Sequence, residues 1–90
     1  MKLEWDETKR QKTLLERELD FADATIISEG EHFDLIDDKQ DYGEIRYLTF
    51  GFLEARMVTV VWTPRSDRRR IISMRHVHDD EIEKRKRSLD

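Results

Sequence analysis

The chain has 90 residues, no cysteine and a formal net charge of −4 at pH 7, with 42% charged and 37% hydrophobic residues. This length predicts a single domain, residues 1–90, with a small core, and the lack of cysteine excludes disulfides, thiolate metal ligands and cysteine nucleophiles. No apolar run reaches the ~18 residues of a membrane span, and charged residues around Trp5 interrupt any early signal-peptide run. Together these features predict a cytoplasmic protein that does not enter a membrane.

The chain begins with a pattern that predicts a short strand and then a helix. Residues 1–5 are suited to an edge strand. Asp6 is a suitable N-cap for a helix over residues 7–17, where most residues are good helix formers. This helix is mostly polar, and its apolar residues Leu14 and Leu15 are the predicted anchors to the core.

A second helix and a strand follow. Asp20 is a suitable N-cap for a helix from residue 21 to about residue 27, and Gly30 is the predicted end of that helix. Residues 32–36 alternate between apolar and polar side chains, which predicts a strand. A polar loop over residues 37–43 comes next.

The second half of the chain predicts three strands joined by short hairpin connections and then a last helix. The connections are predicted over residues 54–56 and 64–68. Asp79 or Asp80 is a suitable N-cap for a helix to about residue 87. The three strands are predicted over residues 45–52, 57–63 and 69–77.

The element order is therefore β-α-α-β-β-β-β-α. Consecutive strands with short connections predict a small, mostly antiparallel sheet, and helices before and after it place the chain in the α+β class.

The strongest chemical signal is a cationic segment near the C-terminus. Residues 65–75 carry five arginines and one aspartate; residues 65–90 have a net charge of +3 and residues 1–64 one of −7. Arginine binds phosphate through two parallel hydrogen bonds, so this segment is a candidate phosphate site. The alternative is that these arginines lie at solvated strand ends and pair with the many acids. Strict strand alternation places Arg70 and Arg75 on opposite faces unless a bulge intervenes.

Several motifs in order along the chain resemble the BrnT toxins of bacterial type II toxin–antitoxin systems. They cover residues 3 to about 83, and together they are more specific than any one alone. The motifs are Trp5-Asp6-Glu7-x-Lys9, Leu19-Asp20-Phe21-Ala22-Asp23-Ala24, Asp41-Tyr42-Gly43-Glu44-x-Arg46, Gly51, Val60-Val61-Trp62-Thr63 and Arg70-Ile71-Ile72-Ser73-Met74-Arg75.

The resemblance implies a RelE-like fold and a ribonuclease that cleaves RNA without a metal or cofactor and inhibits translation. It also implies a BrnA-type antitoxin that neutralises the toxin, with operator DNA bound only through the complex of the two proteins. Most of the family carries Lys-His-Gly where this chain has Glu16-Arg17-Glu18. This departure opens an alternative function, a catalytically weakened binding module that acts mainly as an antitoxin partner in operon repression.

Five residues that match family positions are the candidate catalytic residues. Arg46, Arg70 and Arg75 are the predicted phosphate ligands, since guanidinium groups stabilise the charge of a phosphorane. Lys9 is a further candidate cation, although it can instead pair with Asp6. Glu81 is a candidate acid, although a carboxylate near a helix N-terminus also has an ordinary stabilising role. For Arg46, the alternative is an ion pair with Glu44 or a loop acid.

Two of the three histidines, His76 and His78, lie near the C-terminal end of the chain and match no catalytic position of the family. His76 and His78 lie close to the cationic segment, and imidazole is suited to proton transfer near neutral pH; the alternative, that both are surface residues, is favoured. His32 lies in an acidic region and is interpreted as incidental. A metal nuclease is disfavoured, since the acids of residues 34–41 are adjacent loop residues with no obvious histidine partner, which is a weak signal for a metal site.

Overall fold

The computed structural model describes residues 2–38 and 41–78, which form a five-stranded sheet with helices. The α+β class is confirmed for these residues, and the helix predicted to begin at Asp79 or Asp80 lies outside them. The elements are β1 (Lys2–Trp5), α1 (Glu7–Arg17), a 3-10 turn (Phe21–Asp23), α2 (Ala24–Glu29), β2 (His32–Ile36), β3 (Tyr47–Leu53), β4 (Arg56–Arg65) and β5 (Arg68–His76).

The strand order in the sheet is β1-β5-β4-β3-β2. Within the described residues, β2 to β5 form an antiparallel meander, and β1 pairs in parallel with β5 at the opposite edge. The prediction of a mostly antiparallel sheet with an edge strand at the N-terminus is confirmed. Because β1 ends opposite Ile71, α1 begins there and continues alongside the rest of β5.

Both predicted helix caps are confirmed. The Asp6 carboxylate accepts hydrogen bonds from the backbone N–H groups of Thr8 and Lys9, and the Asp20 carboxylate accepts one from Ala22. Each cap satisfies backbone donors that a helix start leaves unpaired. The second helical segment opens as a 3-10 turn before it becomes α2, a detail that the sequence pattern did not predict.

The prediction that Leu14 and Leu15 anchor α1 is wrong. Their exposed fractions are 39% and 85%, and none of the eleven residues of α1, all described, is buried. Polar contacts hold the helix instead. The guanidinium of Arg10 donates two hydrogen bonds to the Asp20 carboxylate, at 2.8 Å and 3.0 Å. Helix α1 therefore depends on few contacts, and its leucines face solvent.

The core lies between the sheet and the segment that contains α2. Ile27 of α2 packs so closely on Gly51 of β3 that a Cβ there would lie 2.7 Å from the Ile27 side chain, so the position requires glycine. Trp62 is also in this core, where its indole N–H donates to Thr49 and its ring stacks on Tyr47. The core residues are Leu19, Phe21, Ala24, Ile27, Val58, Val60, Trp62, Ile71 and Met74.

The two hairpin turns are shorter than the sequence predicted, so β4 is longer and β5 begins one residue earlier. Glu54 and Ala55 form the first turn with φ values of 51° and 67°, and Ser66 in the second turn has φ of 58°. Pro64 was predicted in a connection but lies in β4. Proline has no backbone N–H to donate to a neighbouring strand. Because β3 pairs with β4 only as far as Trp62, no residue of β3 needs a donor at position 64.

Candidate active site

A β-bulge in β5 decides which arginines share a face of the sheet. The register shifts between Val61 and Trp62, which pair with Ser73 and Ile71, so Ile72 is the extra residue. Arg70 then pairs with Thr63 and Arg75 with Thr59, two positions that alternate onto the same face of β4. The exception to strict alternation that the sequence analysis allowed, a bulge, therefore applies, and the two arginines face the same side.

The same pairing separates these arginines along the strand. Thr59 and Thr63 are four residues apart, which corresponds to roughly 13 Å at the rise of a strand. Arg75 lies toward the end of the sheet where β4 begins and β5 ends, and Arg70 lies toward the β4–β5 hairpin. We call these the groove end and the hairpin end.

The groove end contains an open groove of about 500 Å³ between the last turn of α1 and the ends of β4 and β5. The last turn of α1 meets the end of β5 here because β1 places α1 next to β5, and the β3–β4 turn brings Arg56 beside the end of β5. The lining residues are Leu15, Glu16, Arg17, Glu18, Arg56, Arg75, His76 and His78.

Two hydrogen bonds in opposite directions hold the end of α1 against β5. The Arg17 guanidinium donates to the backbone carbonyl of Met74 at 2.7 Å, and His76 Nε2 lies 3.2 Å from the Arg17 carbonyl. A carbonyl only accepts, so Nε2 carries the proton in this contact. Glu18 follows in the left-handed conformation, with φ of 57°, and its N–H donates to the Leu14 carbonyl as the C-cap.

The charges around the groove are mixed. Arg17, Arg56 and Arg75 supply three cations, whereas Glu16 and Glu18 supply two carboxylates. Two imidazoles complete the lining, and each adds positive charge when protonated. The groove thus combines phosphate-binding cations with groups able to transfer protons.

At the hairpin end, Arg65 and Arg70 have carboxylate partners. Arg70 donates to Glu4 of β1 at 2.8 Å, and both side chains are about one-third exposed. Arg65 lies 3.3 Å from Glu44. The alternative from the sequence, that arginines of the cationic segment pair with acids, is confirmed for these two.

Arg46 belongs to a cluster at the start of β3. Its guanidinium lies 4.0 Å from the ring centre of Tyr42 and 3.7 Å from Glu44, which confirms the ion pair considered from the sequence. The Tyr42 hydroxyl donates to Asp37, and burial together with that carboxylate raises the pKa of Tyr42. The Arg46 Nε is buried and has no hydrogen-bond partner within the described residues.

Comparison with known proteins identifies the family. The family model of BrnT, the ribonuclease toxin of type II toxin–antitoxin systems, matches residues 5–81. The chain belongs to the BrnT family. A search of curated proteins found no match. The resemblance recognised in the sequence motifs is therefore confirmed over most of the chain, and a type II system implies a protein antitoxin as partner.

Of the residues predicted for the BrnT active site, the structure places Arg75 in the groove. Arg46 and Arg70 are on the sheet toward the hairpin end, each with a carboxylate partner. Lys9 is exposed in the first turn of α1, where its backbone N–H bonds to the Asp6 side chain. Glu81 lies outside the described residues.

Sequence reasoning did not select the other groove residues, notably Arg17, Arg56, His76 and His78. Their proximity depends on contacts between segments far apart in the chain, such as the bond between Arg17 and Met74. One signal was available: the family's Lys-His-Gly position, here Glu16-Arg17-Glu18, forms one wall of the groove.

The described residues contain neither a metal-binding cluster nor a membrane-spanning helix. Within residues 2–38 and 41–78, no group of three or more histidine or acidic side chains is arranged to hold a metal ion. The acids near β2 are engaged separately, since Asp34 accepts from Thr49 and Asp37 accepts from Tyr42. None of the described helices has the length and apolar character needed to cross a membrane.

Proposed function

We propose that this chain is an endoribonuclease of a type II toxin–antitoxin system that cleaves RNA without a metal ion and inhibits translation. A BrnA-type antitoxin neutralises it, and operator DNA is bound only through the complex of the two proteins. The observation that carries this proposal is the groove at the end of α1, which gathers three arginines and two histidines. The sheet with helices packed on it also supports a RelE-like fold.

The chemistry requires three groups around the scissile phosphate. A base takes the proton from the 2′-hydroxyl, whose oxygen attacks phosphorus; cations stabilise the phosphorane; and an acid gives a proton to the departing 5′-oxygen. The products are a 2′,3′-cyclic phosphate and a 5′-hydroxyl. Arg75 and Arg56 are suited to the second task, since both line the groove and guanidinium hydrogen bonds to phosphate oxygens are charge-assisted.

The cations outside the groove are suited to binding the rest of the RNA strand. Arg70 faces the same side of the sheet as Arg75, roughly 13 Å away along the strand. That separation allows contact with a flanking phosphate instead of the scissile one. Arg46 lies near the same end of the sheet, so we assign it the same task. For Lys9 and Glu81, the catalytic role stays a prediction from the sequence.

A second candidate function rests on the acidic wall of the groove. Glu16 and Glu18 line the cavity in which a phosphate would sit, and their carboxylates repel the substrate. This lining favours a weakened toxin whose main activity is to pair with its antitoxin in operon repression. The two functions predict different rates of RNA cleavage by the isolated chain.

RNA cleavage by the purified chain in the presence of a metal chelator tests the leading function. We expect cleavage products with 2′,3′-cyclic phosphate ends, and we expect a substrate with 2′-deoxy substitution at the cleaved position to remain intact. Addition of the cognate antitoxin should stop the reaction. Intact RNA at high protein concentration, together with tight antitoxin binding, would instead establish the binding module.

A further inference from the structure

The groove contains two imidazoles with different surroundings. His76 ends β5 and is half-buried, with Nε2 engaged by the Arg17 carbonyl. Its second nitrogen, Nδ1, is buried and has no hydrogen-bond partner within the described residues. One nitrogen of His76 is therefore engaged and the other is closed to solvent, so His76 is less accessible for proton exchange with a substrate than His78 is.

His78 is differently placed. It lies two residues farther along the chain, is exposed, and also lines the groove. The backbone just before it is fixed, because the Val77 N–H donates to the Met57 carbonyl at 3.0 Å. Continuing this register by one residue places His78 opposite Arg56 at the start of β4. A general acid or base must come within hydrogen-bond reach of the transferred proton, and the exposed ring of His78 is accessible to a substrate in the groove.

We infer that His78 is the proton-transfer residue of RNA cleavage and that His76 is a positioning residue that fixes the end of α1 to β5. This inference rests on the proposed ribonuclease function and names the acid–base group within it. His78 exchanges a proton with the 2′-hydroxyl or the 5′-oxygen, while Arg56 and Arg75 hold the phosphate between them.

The charged groups that face His78 come from three elements. Glu16, Arg17 and Glu18 are contributed by the end of α1, Arg56 by β4, and Arg75 and His76 by β5. The ring of His78 therefore shares the groove with both cationic and anionic groups.

The test compares three histidine variants of the full chain. His78→Asn should lower kcat roughly 100-fold or more, as the loss of a general acid–base group does, and should remove one limb of the pH profile. His76→Gln retains a donor for the Arg17 carbonyl and should keep that limb. His32→Asn is the matched control, because His32 lies on edge strand β2 and bonds to the Gly30 carbonyl outside the groove.

The outcomes separate the inference from the function on which it rests. If the parent chain cleaves RNA and His78→Asn cleaves at the same rate with the same pH profile, the inference is wrong while the ribonuclease function stands. Loss of the limb in His76→Gln but not in His78→Asn would assign the chemistry to His76. Chemical rescue of His78→Gly by added imidazole would confirm proton transfer, whereas a parent that does not cleave RNA overturns both proposals.

Discussion

The two ends of the β4–β5 ribbon use arginine in different ways. At the hairpin end, Arg65 and Arg70 lie against Glu44 and Glu4, so their charges are largely compensated by carboxylates from neighbouring strands. At the groove end, Arg56 and Arg75 line a cavity together with two histidines. The densest run of arginines in the sequence is therefore not the part of the ribbon best arranged for chemistry.

The difference between the two ends of the ribbon follows from how the strands of the sheet are paired. The parallel pairing of β1 with β5 brings Glu4 opposite Arg70, and the bulge at Ile72 places Arg70 and Arg75 on one face. Past the end of β1, β5 has α1 as its neighbour, and the gap at the end of that helix forms the groove. The arginine–carboxylate pairs join neighbouring segments at the hairpin end, whereas Arg56 and Arg75 line an open cavity.

Among single arginine substitutions, we expect Arg75→Ala to lower RNA cleavage more than Arg70→Ala does. Arg75→Ala should lower kcat about 10-fold or more, since it removes a charge-assisted contact made in the transition state. Arg70→Ala should mainly raise KM, since Arg70 is assigned to a flanking phosphate. Glu4→Gln provides the opposite test, because it removes the partner of Arg70 and should lower KM. Equal losses of kcat in both arginine variants would remove the distinction between the two ends.

A smaller effect is expected from changes in the acidic wall of the groove. Glu16→Lys, Arg17→His and Glu18→Gly together should raise cleavage several-fold, because they remove two carboxylates that repel phosphate. Unchanged or lower activity in a triple variant that folds normally would count against the repulsion argument.

Glu18 allows the charge effect to be separated from the backbone effect. Its φ of 57° is the left-handed conformation, which costs a non-glycine residue about 1 kcal/mol. Glu18→Gly should therefore raise both the thermal midpoint and the cleavage rate, whereas Glu18→Gln should raise the rate alone. An identical thermal midpoint in the two variants would contradict the assignment of strain to this position.

Association with the antitoxin should depend on salt. We expect its surface opposite residues 65–75 to be net acidic, so that the association rate falls as salt rises. Arg68→Ala at the exposed hairpin should reduce the rate modestly, while Lys12→Ala on the solvent-facing part of α1 is the control for loss of one charge. Association that does not change with salt, or a complex that still cleaves RNA, would exclude a partner that covers the cationic segment.

The smallest effect concerns the contact that holds α1 in place. Hydrogen bonds from Arg10 and from the Ala22 backbone keep the pKa of Asp20 below its ordinary value of 3.8. A lowered folded-state pKa means that this stabilisation is present above the unfolded-state pKa and is lost as the pH falls through the folded-state value. Asp20→Asn should lower the free energy of unfolding by about 1 kcal/mol at neutral pH.

Denaturant unfolding of this variant at several pH values checks the sign. The difference in unfolding free energy between parent and Asp20→Asn should shrink as the pH falls below 3.8. Asp23→Asn is the matched control, since Asp23 makes no side-chain cap at the start of α2. A constant difference across this range would show that the carboxylate charge contributes nothing to stability.

These comparisons show which features could be predicted from the sequence. The caps at Asp6 and Asp20 were predictable because a cap is decided by a residue and the next three along the chain. The ends of the strands in the meander were predictable to within about two residues, because the strand pattern is also decided by residues close together in the chain. The anchors of α1 were not, because whether Leu14 and Leu15 meet a partner depends on the tertiary arrangement.

The site was less predictable than the fold. The apolar residues around Ile72 give no local sign of a bulge. The bulge nevertheless decides on which face of the sheet the preceding arginines of β5 lie. The groove joins residues 15–18 to residues 75–78, and that pairing follows from the position of β1 beside β5. His76 and His78 were regarded as surface residues from the sequence, because nothing near them in the chain indicated a cavity.

The central claim is that RNA cleavage takes place at the groove end of the ribbon, and two double variants of equal charge test it most directly. Arg56→Ala with Arg75→Ala removes two cations from the groove, and Arg65→Ala with Arg68→Ala removes two from the hairpin end. The claim predicts that the first variant loses roughly 100-fold in kcat, while the second retains the kcat of the parent. Equal kcat values in the two variants, or a larger loss in the hairpin variant, would contradict it.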